Sequence, residues 1–467
     1  MRQLTEEEFS VWSELTARIS KYRQRNQQRS RYADADGELR SMGVSIPPGM
    51  ENFRLVVGWP QKACDVLSAR MRTDFFSSPD NALMYEIEGV YSEAGVEFVE
   101  LQAIDSALEH GPAFVFTSRG EAGEPEVVST VRSALSASAI LNPRTGAPTA
   151  ALEVIDDKTH LLSLPYRVLT IENRDRSWQV VEESPTSSSR VRCAVYVHGK
   201  SVRRPFGRSR ISKPLMGYTD AAVRTMLRQE VSAEFFSAPR QALLGGDESM
   251  FTDKHGNVRT GWSAIISGVW AIPDAEAENG ERVRPEFKQF PQISMQPFSD
   301  QLRMIAQMAS GETSIPLSYL GIAQDSNPQS AQAIEANEID LVEVAEREKL
   351  SLNSGRKQLI ADIADVMYGD VPRGVHRAQP MYVSSKTRSL TEMSQFVQLQ
   401  VQAGNMRAGA RSTLSLLPLD RAKIDEIVAD NARQSSIDRV TKIRERSAGT
   451  ADPAQVSETV NKRVADE

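Results

Sequence analysis

Ser299-Asp300-Gln301-Leu302-Arg303-Met304-Ile305-Ala306-Gln307-Met308-Ala309 opens the stretch that decides the fold, which runs on to Gly369. Leu302, Ile305, Ala306 and Met308 recur at helical spacing. Ser299 reads as the N-cap, and Asp300 falls in the first turn, where an anion suits the positive helix end. After Ile315-Pro316-Leu317-Ser318-Tyr319-Leu320-Gly321 comes a polar loop containing Gln324, Asp325, Ser326 and Asn327. Asn327 is a capping type, and Pro328 suits the first helical position because its missing N–H has no partner to lose there. From Gln329 a helical pattern continues to about Met367, beyond the roughly 8–20 residues of an ordinary helix. Its apolar stripe is Ile334, Leu341, Val344, Ala345, Leu352, Leu359, Ile363 and Val366. Glu335, Glu338, Asp340 and Glu343 precede Arg347, Lys349, Arg356 and Lys357, the order the helix dipole favours. Asn353, Ser354 and Gly355 are weak helix formers in mid-helix and predict a bend.

The N-terminal half reads as a separate α+β region. Thr5 to about Tyr32 is an amphipathic helix, with a capping box of Thr5 and Glu8 and an apolar face of Phe9, Trp12, Leu15 and Ile19. Its second half is basic, with Arg18, Lys21, Arg23, Arg25, Arg29 and Arg31, and reads as a solvated face rather than a DNA contact. A helix is expected through Ala63, Val66, Leu67 and Met71, and another from about Val96 to Leu108. The period then shifts towards two. Strands are expected at Ala113–Thr117, Arg167–Ile171, Trp178–Val181 and Cys193–Val197, with turn signals such as Asn142-Pro143-Arg144-Thr145-Gly146 between them. The pattern gives an α+β fold with a mostly antiparallel sheet.

Beyond a basic loop with Arg203, Arg204, Arg208, Arg210 and Lys213, a helix is expected from Thr219, as cap, to Ser237, with Ala222, Val223, Met226, Leu227, Val231 and Phe235 as its apolar face. A small β-rich insert follows, carrying Trp262, Ile265, Val269 and Trp270. After Gly369 helices are expected at Leu390–Ala403, Thr413–Leu417 and Arg421–Ala432, with a mobile, charged tail from about Ser435.

Composition narrows the function. The 467 residues are 40% hydrophobic and 25% charged, with a net charge of −7. A protein that grips DNA strongly through phosphates normally carries a basic excess, so any DNA contact here is local or loose. The two cysteines, Cys64 and Cys193, form neither a metal pattern nor a disulfide framework. No run approaches a membrane span, and the acidic, polar start at Met1–Glu8 is unlike a secretory leader. No Gly-x-x-x-x-Gly-Lys-Ser/Thr, Gly-x-Ser-x-Gly or His-Glu-x-x-His motif occurs. Asp156, Asp157 and His160 are the nearest thing to a catalytic cluster, and a turn between strands explains them better. No cofactor, metal or enzymatic activity is expected.

Two helices flanking a small β insert, then a polar loop leading into a long helix, resemble the portal proteins of tailed siphophages. The resemblance rests on Asn52 to Trp59, Arg208 to Gly246 and Phe298 to Ile363, and most specifically on Ile315–Gly321 with the helix start Gln329-Ser330-Ala331-Gln332-Ala333. Gln402-Ala403-Gly404 through Leu416-Leu417-Pro418 also looks like that family's C-terminal region. The resemblance implies a homo-oligomeric ring, usually of twelve subunits, at one capsid vertex of the virion, assembled in the host cytoplasm. It implies a channel for packaging and ejecting double-stranded DNA without sequence preference. Its partners would be the terminase large subunit, a head–tail adaptor, and the major capsid and scaffold proteins, with no membrane. It divides the chain into an arm and wing (1–213), first stem helix (214–242), clip (243–297), second stem helix (298–319), channel loop (320–328), long helix with the rest of the wing (329–400), and crown with mobile tail (401–467). Gln324, Asp325, Ser326 and Asn327 would then line the channel, and Trp262, Ile265, Val269 and Trp270 the clip interface. The alternatives are a packaging enzyme that processes nucleic acid, which would need clustered carboxylates for metal ions, and another capsid or scaffold subunit.

Overall fold

The computed structural model describes residues 1–36, 55–174, 176–236, 241–244, 275–276, 282–283, 286–289, 294–322, 331–386, 390–417, 419 and 421–449. Two compact units result, Met1–Ser385 and Lys386–Glu467. The fold is α+β, and every strand pairing among the described residues is antiparallel.

The first unit begins with β1 (Arg2–Gln3) and α1 (Glu6–Ala33). Thr5 caps α1 through the expected capping box: its hydroxyl accepts from Glu8 N, and Glu8 returns a bond to Thr5 N. Arg2 pairs with the same carboxylate at 2.7 Å and holds Glu8 down to about 2. Trp12, Leu15 and Ile19 are buried as expected, whereas Phe9 is exposed. They pack on a six-stranded meander, ordered β1-β9-β8-β7-β6-β5. Its strands are β5 (Ala137–Leu141), β6 (Pro148–Val154), β7 (Thr159–Leu164), β8 (Arg167–Arg174) and β9 (Ser177–Pro185).

A second sheet, β10-β3-β4, comprises β3 (Pro112–Arg119), β4 (Val127–Ser133) and β10 (Cys193–Val197). Phe114, Phe116, Cys193 and Val195 pack with Ala137, Ala139 and Ala151, joining the two sheets. Helices α2 (Trp59–Ser68), α3 (Asn81–Glu93) and α4 (Val96–His110) join the main core, and α4 lies on β3 and β4. Both cysteines are buried and free, and burial pushes the Cys64 thiol up to about 12, leaving it unreactive.

Later helices complete the unit. α5 (Lys213–Phe236) starts before the expected Thr219, which lies inside the helix and donates its hydroxyl to Leu215 O at 2.8 Å. It packs along α6 (Gln296–Thr313). α6 is capped at Met295 with a proline in its first turn, so Ser299 is an interior residue and not the N-cap. The long helix α7 (Ala331–Tyr368) lies within two residues of its expected bounds. It runs unbroken through Asn353, Ser354 and Gly355. Gly355 is buried against β10: a Cβ there would stand 2.8 Å from Val195 O and 3.0 Å from the Tyr196 ring. Glycine here permits close approach of helix and sheet.

In the second unit, α9 (Leu390–Gln402), α10 (Arg411–Leu414) and α11 (Arg421–Gly449) follow the short α8 (Arg373–His376) of the first. Arg411 pairs with Asp425 at 2.9 Å, and Leu414 and Ile424 are buried. α11 continues past Ser435, where a mobile tail was expected, to Gly449.

Candidate functional site: the frame around the polar segment

Gln324, Asp325, Ser326 and Asn327 lie outside the described residues, as do Trp262, Ile265, Val269 and Trp270. What is described is the chain on either side of the first group, up to residue 322 and from residue 331. α6 ends at Thr313, whose carbonyl accepts from Arg210 at 2.6 Å, while Arg210 Nε donates to Ala63 O at 2.8 Å. A cation at the last carbonyls stabilises a helix C-terminus. Ile315 is buried, and Leu317–Leu320 form a 3-10 turn. Trp59 Nε1 donates to Leu320 O at 3.2 Å, and Gly321 turns the chain at φ +82°.

A polar clamp closes the frame. Tyr319 donates its hydroxyl to Glu338 at 2.6 Å, Arg70 reaches the Tyr319 oxygen at 3.1 Å, and Arg70 pairs with Glu338 at 3.1 Å. Glu338 is buried and sits two turns into α7; Tyr319 lies just before the polar segment. The clamp thus joins the chain entering that segment to the helix leaving it. Arg70 lies just past the end of α2, so a third part of the chain fixes both.

The rest of α7 is anchored as firmly. Leu341, Ala345, Leu352, Leu359, Ile363 and Val366 are buried as expected. So are Lys349, Arg356, Asp362 and Asp365, which sequence reading assigned to no site. Arg356 pairs with Glu100, Arg190 with Asp362, and Arg192 with Asp365 at 2.6 Å. His198 meets Glu348 at 2.9 Å. The available signal was Leu359-Ile360-Ala361-Asp362-Ile363-Ala364-Asp365-Val366, which leaves no polar face wide enough for solvent. A helix buried all round must pair its charges.

Asp156 and His160 behave as turn and core. Asp156 accepts from Lys158 N and Thr159 N, both at 2.7 Å, at the β6–β7 hairpin. His160 accepts from Trp12 Nε1 at 3.0 Å, stacks on Trp178 at 4.3 Å, and is held by burial below its usual pKa. Among the described residues no group of three or more His, Cys, Asp and Glu could hold a metal ion, and no helix is long and apolar enough to cross a membrane.

One titrating group is expected to show in stability. Burial pushes Asp362 up to about 7, against the pull of Arg190. A carboxyl so raised binds its proton more tightly when folded. Its contribution is full below the unfolded value of about 4 and is lost as pH rises through about 7. Asp362→Asn should flatten this loss. Urea midpoints of both proteins across this range will check it, and parallel profiles would reject the assignment.

No family model matches the chain. Two curated proteins are similar to it: the portal protein of Mycobacterium phage L5, at 24% identity over 371 residues, and that of Mycobacterium phage D29, at 23%. Each match covers 76% of this chain and 74% of the relative. Solved structures give weaker likenesses. A chain of the virion of a native gene transfer agent particle has a TM-score of 0.45 and 11% identity, over 85% of this chain and 94% of that one. A chain from the neck of the native particle, computed with C12 symmetry, has a TM-score of 0.44 and 12% identity, over 85% of this chain and 93% of the other. Across about three quarters of each chain, then, this chain is similar to the portal proteins of two mycobacteriophages.

Proposed function

We propose that the chain assembles into a closed ring, of twelve subunits, at one vertex of a phage capsid. Double-stranded DNA is packaged and ejected through its channel, and the ring is where the motor and tail attach. The similarity to two portal proteins over most of their length carries this reading. α5 and α6, packed side by side, serve as the stem, and residues 243–297 between them as the clip for the terminase large subunit and the adaptor. The sheets and α7, with the chain on to residue 400, serve as the wing towards the capsid and scaffold proteins, and residues 401–467 as the crown. The bend expected at Asn353, Ser354 and Gly355 belongs to this reading too, as the place where α7 follows the ring. The chain acts as a structural channel and not as an enzyme, in the virion and in the host cytoplasm during assembly. Negative-stain microscopy of purified protein should reveal discrete rings with an axial hole; a monomer at micromolar concentration would sink the reading.

The clamped segment is the DNA-facing part. Its only charge is Asp325 among Gln324, Ser326 and Asn327, a surface that touches phosphates without holding them. Asp325→Lys with Asn327→Lys should leave rings intact and strengthen salt-sensitive DNA retention, because each new cation can release a counterion. Packaging should slow or stop. Normal packaging with unchanged salt dependence would remove the segment from the channel wall.

A further inference from the structure

The second half of α1 carries Lys21, Arg25 and Arg29 at steps of four residues. They therefore share one helix face, about 6 Å apart along the axis. Alone, such a row is an ordinary solvated face. The fold, however, brings a second basic segment against it. After β10 the chain makes a tight turn, in which Ser201 N donates to Arg204 O at 3.2 Å and Arg204 N to Ser201 O at 2.9 Å. Val202, at the tip, is 104% exposed. The base of the turn is fixed, because Gly207, at φ +66°, leaves no room for a Cβ beside His198 O. Phe206 lies under Arg18, 5.0 Å from its ring centroid, and so docks the turn on α1.

Arg204 thereby stands within electrostatic range of both Arg25 and Arg29. Burial, then repulsion from Arg25 and Arg204, holds Arg29 down to about 10. Arg29 donates to His110 O at 3.2 Å, at the end of α4, but its buried Nε has no hydrogen-bond partner. Arg25 lies over the ring of the exposed Tyr22 at 4.4 Å. Among the described residues no carboxylate pairs with Lys21, Arg25, Arg29, Arg203 or Arg204. Crowded like charges repel unless an anion joins them. Cations repeated once per helical turn suit an anion that also repeats, and guanidinium forks match phosphate geometry.

We propose that this face, formed by Lys21, Arg25, Arg29 and Arg204, binds the phosphate backbone of duplex DNA without reading its sequence. The inference rests on the reading that the protein handles DNA, but it names a second contact, separate from the polar segment. The test is anisotropy of a short labelled duplex of mixed sequence with the full chain, titrated with salt. Arg25→Glu with Arg204→Glu, both exposed, should weaken binding roughly tenfold and reduce the salt slope by about 2. Arg144→Glu with Arg373→Glu, the same change of charge at exposed sites elsewhere, should leave the slope unaltered. Unchanged binding in the first variant, or equal loss in the second, would overturn the proposal. So would poly-glutamate that binds as tightly as DNA and is lost with the same two arginines, since the partner would then be an acidic protein. Rings are scored separately by microscopy: their absence defeats the portal reading, whereas intact rings with unchanged DNA binding defeat only this surface.

Discussion

Arg356→Met is expected to remove about 3–5 kcal/mol of stability, the range for breaking a buried ion pair by taking away one partner. Arg356 is fully buried, pairs with Glu100 and donates to Met71 O at 2.5 Å and to Tyr382 Oη at 3.2 Å. Methionine keeps the length of the stem and loses every one of those donors. Glu100 would retain only its bonds from Thr73 at 2.8 Å and Tyr91 at 2.6 Å, with no cation beside its buried carboxylate. Adding Glu100→Gln should recover much of the loss, because the stranded charge is then gone. Urea unfolding at fixed protein concentration will measure both. A loss under about 1 kcal/mol for the single variant would mean that the pair is not held as described.

Glu338→Ala should have the next largest effect, about 3 kcal/mol, because it takes from Arg70 its paired carboxylate and from the Tyr319 hydroxyl its acceptor. Tyr319→Phe, which removes the bonds to Glu338 and from Arg70 but leaves that ion pair in place, should cost roughly half as much. The functional consequence is more specific. With the clamp open, the chain entering the polar segment is no longer tied to α7. Amide exchange at Leu317–Ile322 should quicken while exchange in the middle of α7 stays slow. Under the proposed function, rings should form but packaging should fall. Uniformly faster exchange along α7 would make Glu338 a general stabiliser and not a clamp.

The long helix, the Thr5–Glu8 box and the exact bounds of β10 were legible because each is local: a period, a cap, or an apolar run between turns. Ser299 and Thr219 misled as caps for the opposite reason. Both have the right side chain, but Pro297 starts α6 earlier, and α5 reaches back to Lys213. The strands β4 to β7 escaped notice, since Val127–Ser133 and Pro148–Val154 mix polar and small residues whose burial depends on partners far along the chain. The clamp was illegible for the same reason: Arg70, Tyr319 and Glu338 are ordinary until the fold assembles them. The basic halves of α1 and of the 200–208 turn were each visible, but their meeting was not.

Gly355 makes α7 and β10 a single mechanical part. With no side chain between the helix and Val195 O, the two backbones are in direct contact. Sliding the helix by one residue would drive Ser354 or Arg356 into that carbonyl, and rotating it would do the same. The helix therefore cannot ratchet along the sheet as helices do in many switching proteins. A load applied at the clamped end of α7 is therefore shared with the β10-β3-β4 sheet and, through Arg356 and Glu100, with α4.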